Sequence, residues 1–229
     1  MTKKILIGTP IIDKKMYSWK QYVEGIKGLK LPDGYQAHVL IVDTSDEPNT
    51  LKIPVQDEHF FYVHFPAERP MDKVVGARNV ILANATAGGY DYVFFVDSDV
   101  MVPTDALITL FDHPLEYQII SGFYPGMDDM GLPTATGMRY NGFTYVPLKE
   151  HELKGTQKVD LIGLGCALIH KDLFKLQFRC ERGPFKSLLK SEDMCYCEDL
   201  RKAGITIYFD TDVICKHKIE EGHWNPDVS

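Results

Sequence analysis

The apolar positions of this chain fall into short runs separated by turn signals. Ile5-Leu6-Ile7 lies inside 3–8, which predicts a first strand ending in Gly8-Thr9-Pro10. Trp19, Tyr22, Val23 and Ile26 then recur at i, i+3, i+4 and i+7, the spacing of an amphipathic helix, and Leu31-Pro32-Asp33-Gly34 stops it. Residues 37–42 predict a second strand closing on Asp43-Thr44-Ser45-Asp46, and 60–65 a third. Over 71–85 the pattern returns to helix, with Val74, Ala77 and Ile81 on one face and Gly88-Gly89 at its end. Tyr92–Val96 follows, β-branched and aromatic throughout, as expected of a strand buried on both faces. Strand, helix, strand, strand, helix, strand with short connections predicts a Rossmann-like, mostly parallel central sheet flanked by helices.

The pattern changes after residue 100. Residues 103–111 predict a helix with proline near its start, and 118–123 a strand followed by an irregular stretch over 125–133. Met138-Arg139-Tyr140 and Phe143-Thr144-Tyr145-Val146 flank Asn141-Gly142, a strong hairpin signal. The apolar, glycine-rich run 161–169 predicts a strand with a bend, 192–203 a helix closed by Gly204, and 205–209 a last strand. The expected fold class is α/β, with a mixed, antiparallel second half. The absence of repeats, low-complexity tracts and linkers implies one domain over 1–229.

Composition narrows the function. A net charge of −7 over 229 residues argues against a nucleic-acid partner or a polybasic membrane anchor. Ile5-Leu6-Ile7 is too short for a secretory h-region, and no apolar run approaches the ~20 residues of a transmembrane helix. Cys166, Cys180, Cys195, Cys197 and Cys215 show neither a C-x-x-C pair nor zinc spacing. Reduced thiols and a cytoplasmic location are expected.

The candidate chemistry centres on Asp97-Ser98-Asp99, which ends the buried run Tyr92–Val96. Two carboxylates at the mouth of a buried strand are costly unless a cation or hydrogen bonds meet them. Ligands of open α/β sheets sit beyond the carboxyl ends of the strands. A hard divalent ion with an anionic substrate behind it would account for the triplet, and so would a helix cap or a turn. Arg78 stands beside the buried stripe of its helix and needs a partner, either an Asp such as Asp97 or a ligand. Asp43-Thr44-Ser45 reads equally as an Asx-turn or as the acidic end of a second strand opening on the same crevice. Ser191-Glu192-Asp193 has the chemistry of a helix N-terminus. Gly163-Leu164-Gly165-Cys166 reads as a β-bulge or as a place of close backbone approach.

Taken in order, these motifs resemble those of nucleotide-sugar-dependent glycosyltransferases with the GT-A fold, most like family 2. The likeness runs from Lys3 to His217 and is carried by Asp97-Ser98-Asp99, Ala77-Arg78-Asn79, Glu192-Asp193 and Gly204. It implies a hexosyltransferase-type enzyme moving sugar from a UDP- or GDP-sugar to an acceptor hydroxyl, with Mn²⁺ or Mg²⁺ as cofactor. It implies a nucleotide-binding half over 1–100 and an acceptor and catalytic half over 101–229. Thr9, Pro10, Asp43, Arg78, Asp97, Ser98, Gly163 and Gly165 would line the nucleotide-sugar, and Asp97, Asp99 and His217 would hold the metal, His223 being the rival to His217. Asp193 would be the general base of an inverting reaction, supported by Glu192. The stretch 125–133 and the compact tail depart from the family's pattern, so the acceptor stays open between a glycan, a protein and a small molecule. A retaining transferase and a non-catalytic nucleotide-sugar-binding module remain alternatives. A sugar-phosphate nucleotidylyltransferase would want a Gly- and Arg-rich loop where Gly8-Thr9-Pro10-Ile11-Ile12-Asp13 stands. The tail from about residue 212, with Lys216 and Lys218 beside His217, is expected to be weakly anchored and to close over a diphosphate as a lid.

Overall fold

The computed structural model describes residues 2–49, 59–114, 117–127, 133–220 and 223–224. Its centre is an eight-stranded sheet built from both halves of the chain. The strands are β1 (Lys3–Ile11), β2 (Tyr35–Asp43), β3 (Phe60–His64), β4 (Tyr92–Val96), β5 (Ile119–Phe123), β6 (Thr156–Val159), β7 (Cys166–His170) and β8 (Ile207–Ile214). Their spatial order is β6-β8-β5-β7-β4-β1-β2-β3. β1 pairs in parallel with β2 and β4, β2 with β3, and β8 with β5, while β7 is antiparallel to both β4 and β5, and β6 to β8. Only β7 and β6 therefore run against the rest, which gives the mostly parallel α/β sheet that the pattern predicts.

Alternation along the strands sorts their side chains into two cores. One face carries Leu6, Leu40, Val93, Phe95 and Ala167 against α2 (Pro70–Ala87) and α4 (Glu192–Lys202). The other carries Ile5, Ile7, Val39, Ile41, Phe94 and Leu168 against α1 (Trp19–Lys27) and α3 (Ala106–Phe111). Gly8 sets the depth at which α2 beds down, since a Cβ there would lie 2.4 Å from Cγ2 of Ile81.

The structure corrects several sequence-based boundaries. β1 continues through Thr9 and Pro10 to Ile11, because beyond Gly8 it is paired with β2 alone and a missing proline N–H breaks no second ladder. α3 begins at Ala106 rather than at residue 103, since Pro103 first makes a turn whose carbonyl accepts the Ala106 N–H. The run 161–169 is a strand only from Cys166, with an isolated bridge between Met138 and Leu161 before it. β8 starts at Ile207 and runs on to Ile214, past the expected end at residue 209, and the polar β6 went unpredicted. The expected hairpin joins Met138–Tyr140 to Tyr145–Pro147, with Asn141 accepting the N–H groups of Phe143 and Thr144. Of the stretch read as irregular, Pro125–Met127 and Pro133–Ala135 form a small hairpin, and 128–132 lie outside the described residues. Among the described residues no helix is long and apolar enough to cross a membrane.

Candidate active site at the carboxyl ends of the parallel strands

Because β1, β2 and β4 are parallel and in register, Ile11, Asp43 and Asp97 emerge at one edge of the sheet. A cavity of about 380 Å³ opens there, within the range of small-molecule sites. Pro10, Asp97, Ser98 and Asp99 line its floor, Arg78 comes from α2, Glu192 from the start of α4, and His217 from the strand Lys216–Glu220. These were all predicted site residues. Lys15, Thr44 and Tyr124 line it too and were missed. A wider groove of about 960 Å³ lies by the amino end of β4, where Lys171 is already paired with Asp91 at 2.8 Å.

Arg78 is the organising cation. It is 2% exposed and stacks 5.2 Å from the ring centre of Phe95. Its Nη2 donates to Asp97 Oδ1 at 3.0 Å and its Nε to Glu192 Oε1 at 3.4 Å, while Nη1 is buried with no partner among the described residues. Burial opposes its charge, but the two carboxylates outweigh that and hold the guanidinium firmly protonated. Burial pushes the Glu192 carboxyl above its ordinary range, against the pull of Arg78.

Asp99 is 6% exposed and forms a second cluster. His217 Nε2 lies 3.3 Å from its Oδ2, and Lys15 Nζ makes an ion pair with the same oxygen. His217 Nδ1–H donates to the Pro125 carbonyl at 3.0 Å, which aims Nε2 at Asp99. Burial alone would raise the Asp99 carboxyl, but His217 and Lys15 hold it below the usual carboxylate range. Lys218 N–H donates to the Asp99 carbonyl at 2.7 Å, and Tyr17 O–H to the Lys218 carbonyl at 3.1 Å. Within the tail expected to be loosely held, residues 216–218 are thus strapped to Val100–Met101 and to the turn Asp13–Ser18, while 221–222 and 225–229 lie outside the described residues. His223 lies on a two-residue strand paired to Lys216–Glu220.

The donor set accepts a divalent ion in part. Metal bonds of about 2.1 Å at right angles would set an oxygen and an imidazole nitrogen about 3 Å apart, close to the Asp99–His217 spacing. Among the described residues no group of three or more potential ligands gathers. Asp97, the third member of the expected trio, is paired with Arg78. A mixed imidazole and carboxylate pair suits Mn²⁺ better than Mg²⁺.

The other predicted residues lie outside the cavity wall. Thr9 is buried and shares a hydrogen bond with the Tyr22 hydroxyl. Asp43 accepts the N–H groups of Ser45 at 2.9 Å and Asn49 at 2.8 Å and the Tyr62 O–H at 2.8 Å, the Asx-turn among its two readings. Gly163 and Gly165 pack behind Tyr124: a Cβ on Gly163 would sit 2.1 Å from the phenol oxygen, and Gly165 N–H donates to that oxygen at 3.0 Å. Asp193 caps α4 from within, its Oδ1 accepting Ser191 O–H and the Met194 N–H. Lys15 carried a faint signal, the pair Lys14-Lys15 just past the end of a strand that opens on the crevice.

No family model matches the chain, and no curated protein matches it in sequence. Solved structures do match it in shape. A197 from STIV superposes at a TM-score of 0.53 with 12% identity, over 96% of this chain and 87% of that one. S. aureus TarS in complex with UDP-GlcNAc gives 0.55 and 17%, over 93% and 57%. The mannosyltransferase PcManGT from Pyrobaculum calidifontis, in complex with GDP-Man and Mn²⁺, gives 0.60 and 17%, over 93% and 56%. The chain thus spans little more than half the length of the last two. With its strand order, its flanking helices and these neighbours, the chain has a GT-A-like glycosyltransferase fold.

Proposed function

We propose that the protein transfers a hexose from a UDP- or GDP-sugar to an acceptor hydroxyl, with inversion and with help from Mn²⁺. The observation that carries this reading is that Arg78 and Lys15 line one cavity together with the Asp99–His217 pair. Arg78 and Lys15, two cations at the carboxyl ends of parallel strands, suit an anion of high charge density, and a nucleoside diphosphate is one. The neighbours support the donor class, since one is complexed with UDP-GlcNAc and another with GDP-Man and Mn²⁺.

Residues 1–100 would hold the nucleotide and 101–229 the acceptor. Pro10 and Thr44 would flank the base, with Asp43 shaping the loop behind it. Asp99 and His217 would hold the ion, and diphosphate oxygens would complete its shell. When bound, the ion would supply Lewis-acid stabilisation of the leaving diphosphate. Arg78 would stabilise the same developing charge.

Glu192, already held by Arg78, would be the supporting carboxylate. Asp193 would take the acceptor proton: its Oδ1 is fixed by Ser191 and Met194, and its Oδ2 takes no hydrogen bond among the described residues. A cytoplasmic place of action goes with the cysteine spacing.

The test is turnover of UDP-glucose, UDP-GlcNAc and GDP-mannose with and without Mn²⁺, in the wild type and in Asp193→Asn. A positioned base contributes about 10²–10⁴-fold, so the variant should lose that much turnover while binding donor normally. Turnover near wild type in Asp193→Asn would remove the base assignment, and retained anomeric configuration in the product would remove inversion.

A further inference from the structure

Lys15 has so far counted only as a cation lining the cavity, yet its ammonium occupies the Asp99 oxygen that faces His217. Its side chain is 40% exposed and sits on the turn Asp13–Ser18, directly after β1. A flexible four-carbon stem leaves the ammonium free to relocate. A second resting place is near, since Nζ lies 3.4 Å from the Tyr17 hydroxyl and 5.9 Å from the centre of that ring.

Charge accounting then poses a question. A divalent ion on Asp99 Oδ2 and His217 Nε2 would compete with the ammonium for that oxygen, because two cations this close repel. The cavity that Lys15 lines is also lined by Arg78, so an incoming diphosphate offers the displaced ammonium a new anionic partner without a long move.

We propose that Lys15 is a place-holder for the divalent ion and a ligand of the diphosphate, exchanging Asp99 for phosphate oxygen when metal and nucleotide bind together. This rests on the metal and nucleotide reading of the site given above. Without nucleotide, Lys15 competes with the ion and weakens it. With nucleotide bound, the competition is lifted and Lys15 adds a charge-assisted contact, so metal and diphosphate recruit each other.

The experiment is calorimetric titration of Mn²⁺ alone, of UDP and GDP alone, and of each nucleotide at saturating Mn²⁺. It uses the wild type, Lys15→Met, Lys15→Arg and Asp99→Asn, with circular dichroism to check the fold of each. Lys15→Met should bind Mn²⁺ alone about tenfold more tightly, and should bind UDP or GDP at saturating Mn²⁺ about tenfold more weakly, each change being worth about 1.4 kcal/mol. Lys15→Arg keeps the charge and should stay near wild type in the Mn²⁺ titration. Equal or weaker Mn²⁺ binding by a folded Lys15→Met overturns the competition. Unchanged nucleotide affinity in that variant overturns the diphosphate contact. Absence of Mn²⁺ binding in every variant, with or without nucleotide, overturns the metal assignment and the exchange together, whereas Mn²⁺ binding that Asp99→Asn abolishes and Lys15→Met leaves unaltered overturns the exchange alone.

Discussion

At the scale of single residues, Asp43 shows how a carboxylate at a strand end can serve the loop beside a site. Its oxygens collect two backbone N–H groups and a phenol, and the side chain is fully buried. Burial alone would raise its pKa, but these donors overcome that and lower it. A depressed folded-state pKa means stability that is fully present above the unfolded value of about 3.9 and is lost as pH falls through the folded one. Asp43→Asn should therefore cost about 1–3 kcal/mol at pH 7, through the donors left unmatched. The gap to wild type should close as the pH is lowered toward the folded-state pKa. Urea melts at pH 7 and near pH 3 would measure both, and an equal gap at the two pH values would count against a charged Asp43.

At the scale of elements, Arg78 ties α2 to β4 through Asp97 and to α4 through Glu192. Removing one partner of a buried ion pair leaves an uncompensated charge, typically worth about 3–5 kcal/mol. Arg78→Met should lose stability of that order, and nucleotide binding with it. Arg78→Lys should recover part of the stability but not the fork that holds two carboxylates. Thermal melts of both variants would check this. The terminal strand Lys216–Glu220 makes the opposite point to the lid expected from its sequence. Lys218 is 4% exposed and its N–H is bonded to Asp99. Its amide should exchange slowly before any nucleotide is added, and hydrogen exchange that is fast without ligand and slow with it would restore the lid.

At the scale of the whole molecule, the site is assembled from distant stretches, among them the turn after β1, α2, the end of β4, and the segments holding Glu192 and His217. A ligand gripping these together binds the folded state alone and raises its stability by mass action. At a hundredfold excess over its dissociation constant, UDP or GDP with Mn²⁺ should add about 2.7 kcal/mol. The same nucleotide in EDTA should add less. A melting temperature that responds to no nucleotide, with or without the ion, would argue against the donor class.

Much of this was legible from the chain itself. Alternation and 3.6-residue spacing are local properties, so the strands Tyr92–Val96 and Phe60–His64, the helices α2 and α4 and the parallel first half follow from composition over a few residues. Asp97-Ser98-Asp99 could be placed at the ligand edge because a buried parallel strand has only one such edge. The pairings could not be read. Whether Asp97 faces a metal or Arg78 depends on two side chains 19 residues apart meeting across a helix–sheet interface. Lys15 on Asp99 spans 84 positions, and His217 on Asp99 spans 118. The polar strand β6 and the continuation of β8 to Ile214 take their shape from neighbours already in the sheet rather than from their own apolar pattern. Gly163 carries no sign in sequence of the phenol that fills its missing Cβ. Local propensity determines which segments become strands and helices. Long-range packing decides which charges share a cavity, because only the folded chain brings them within a few ångströms of one another.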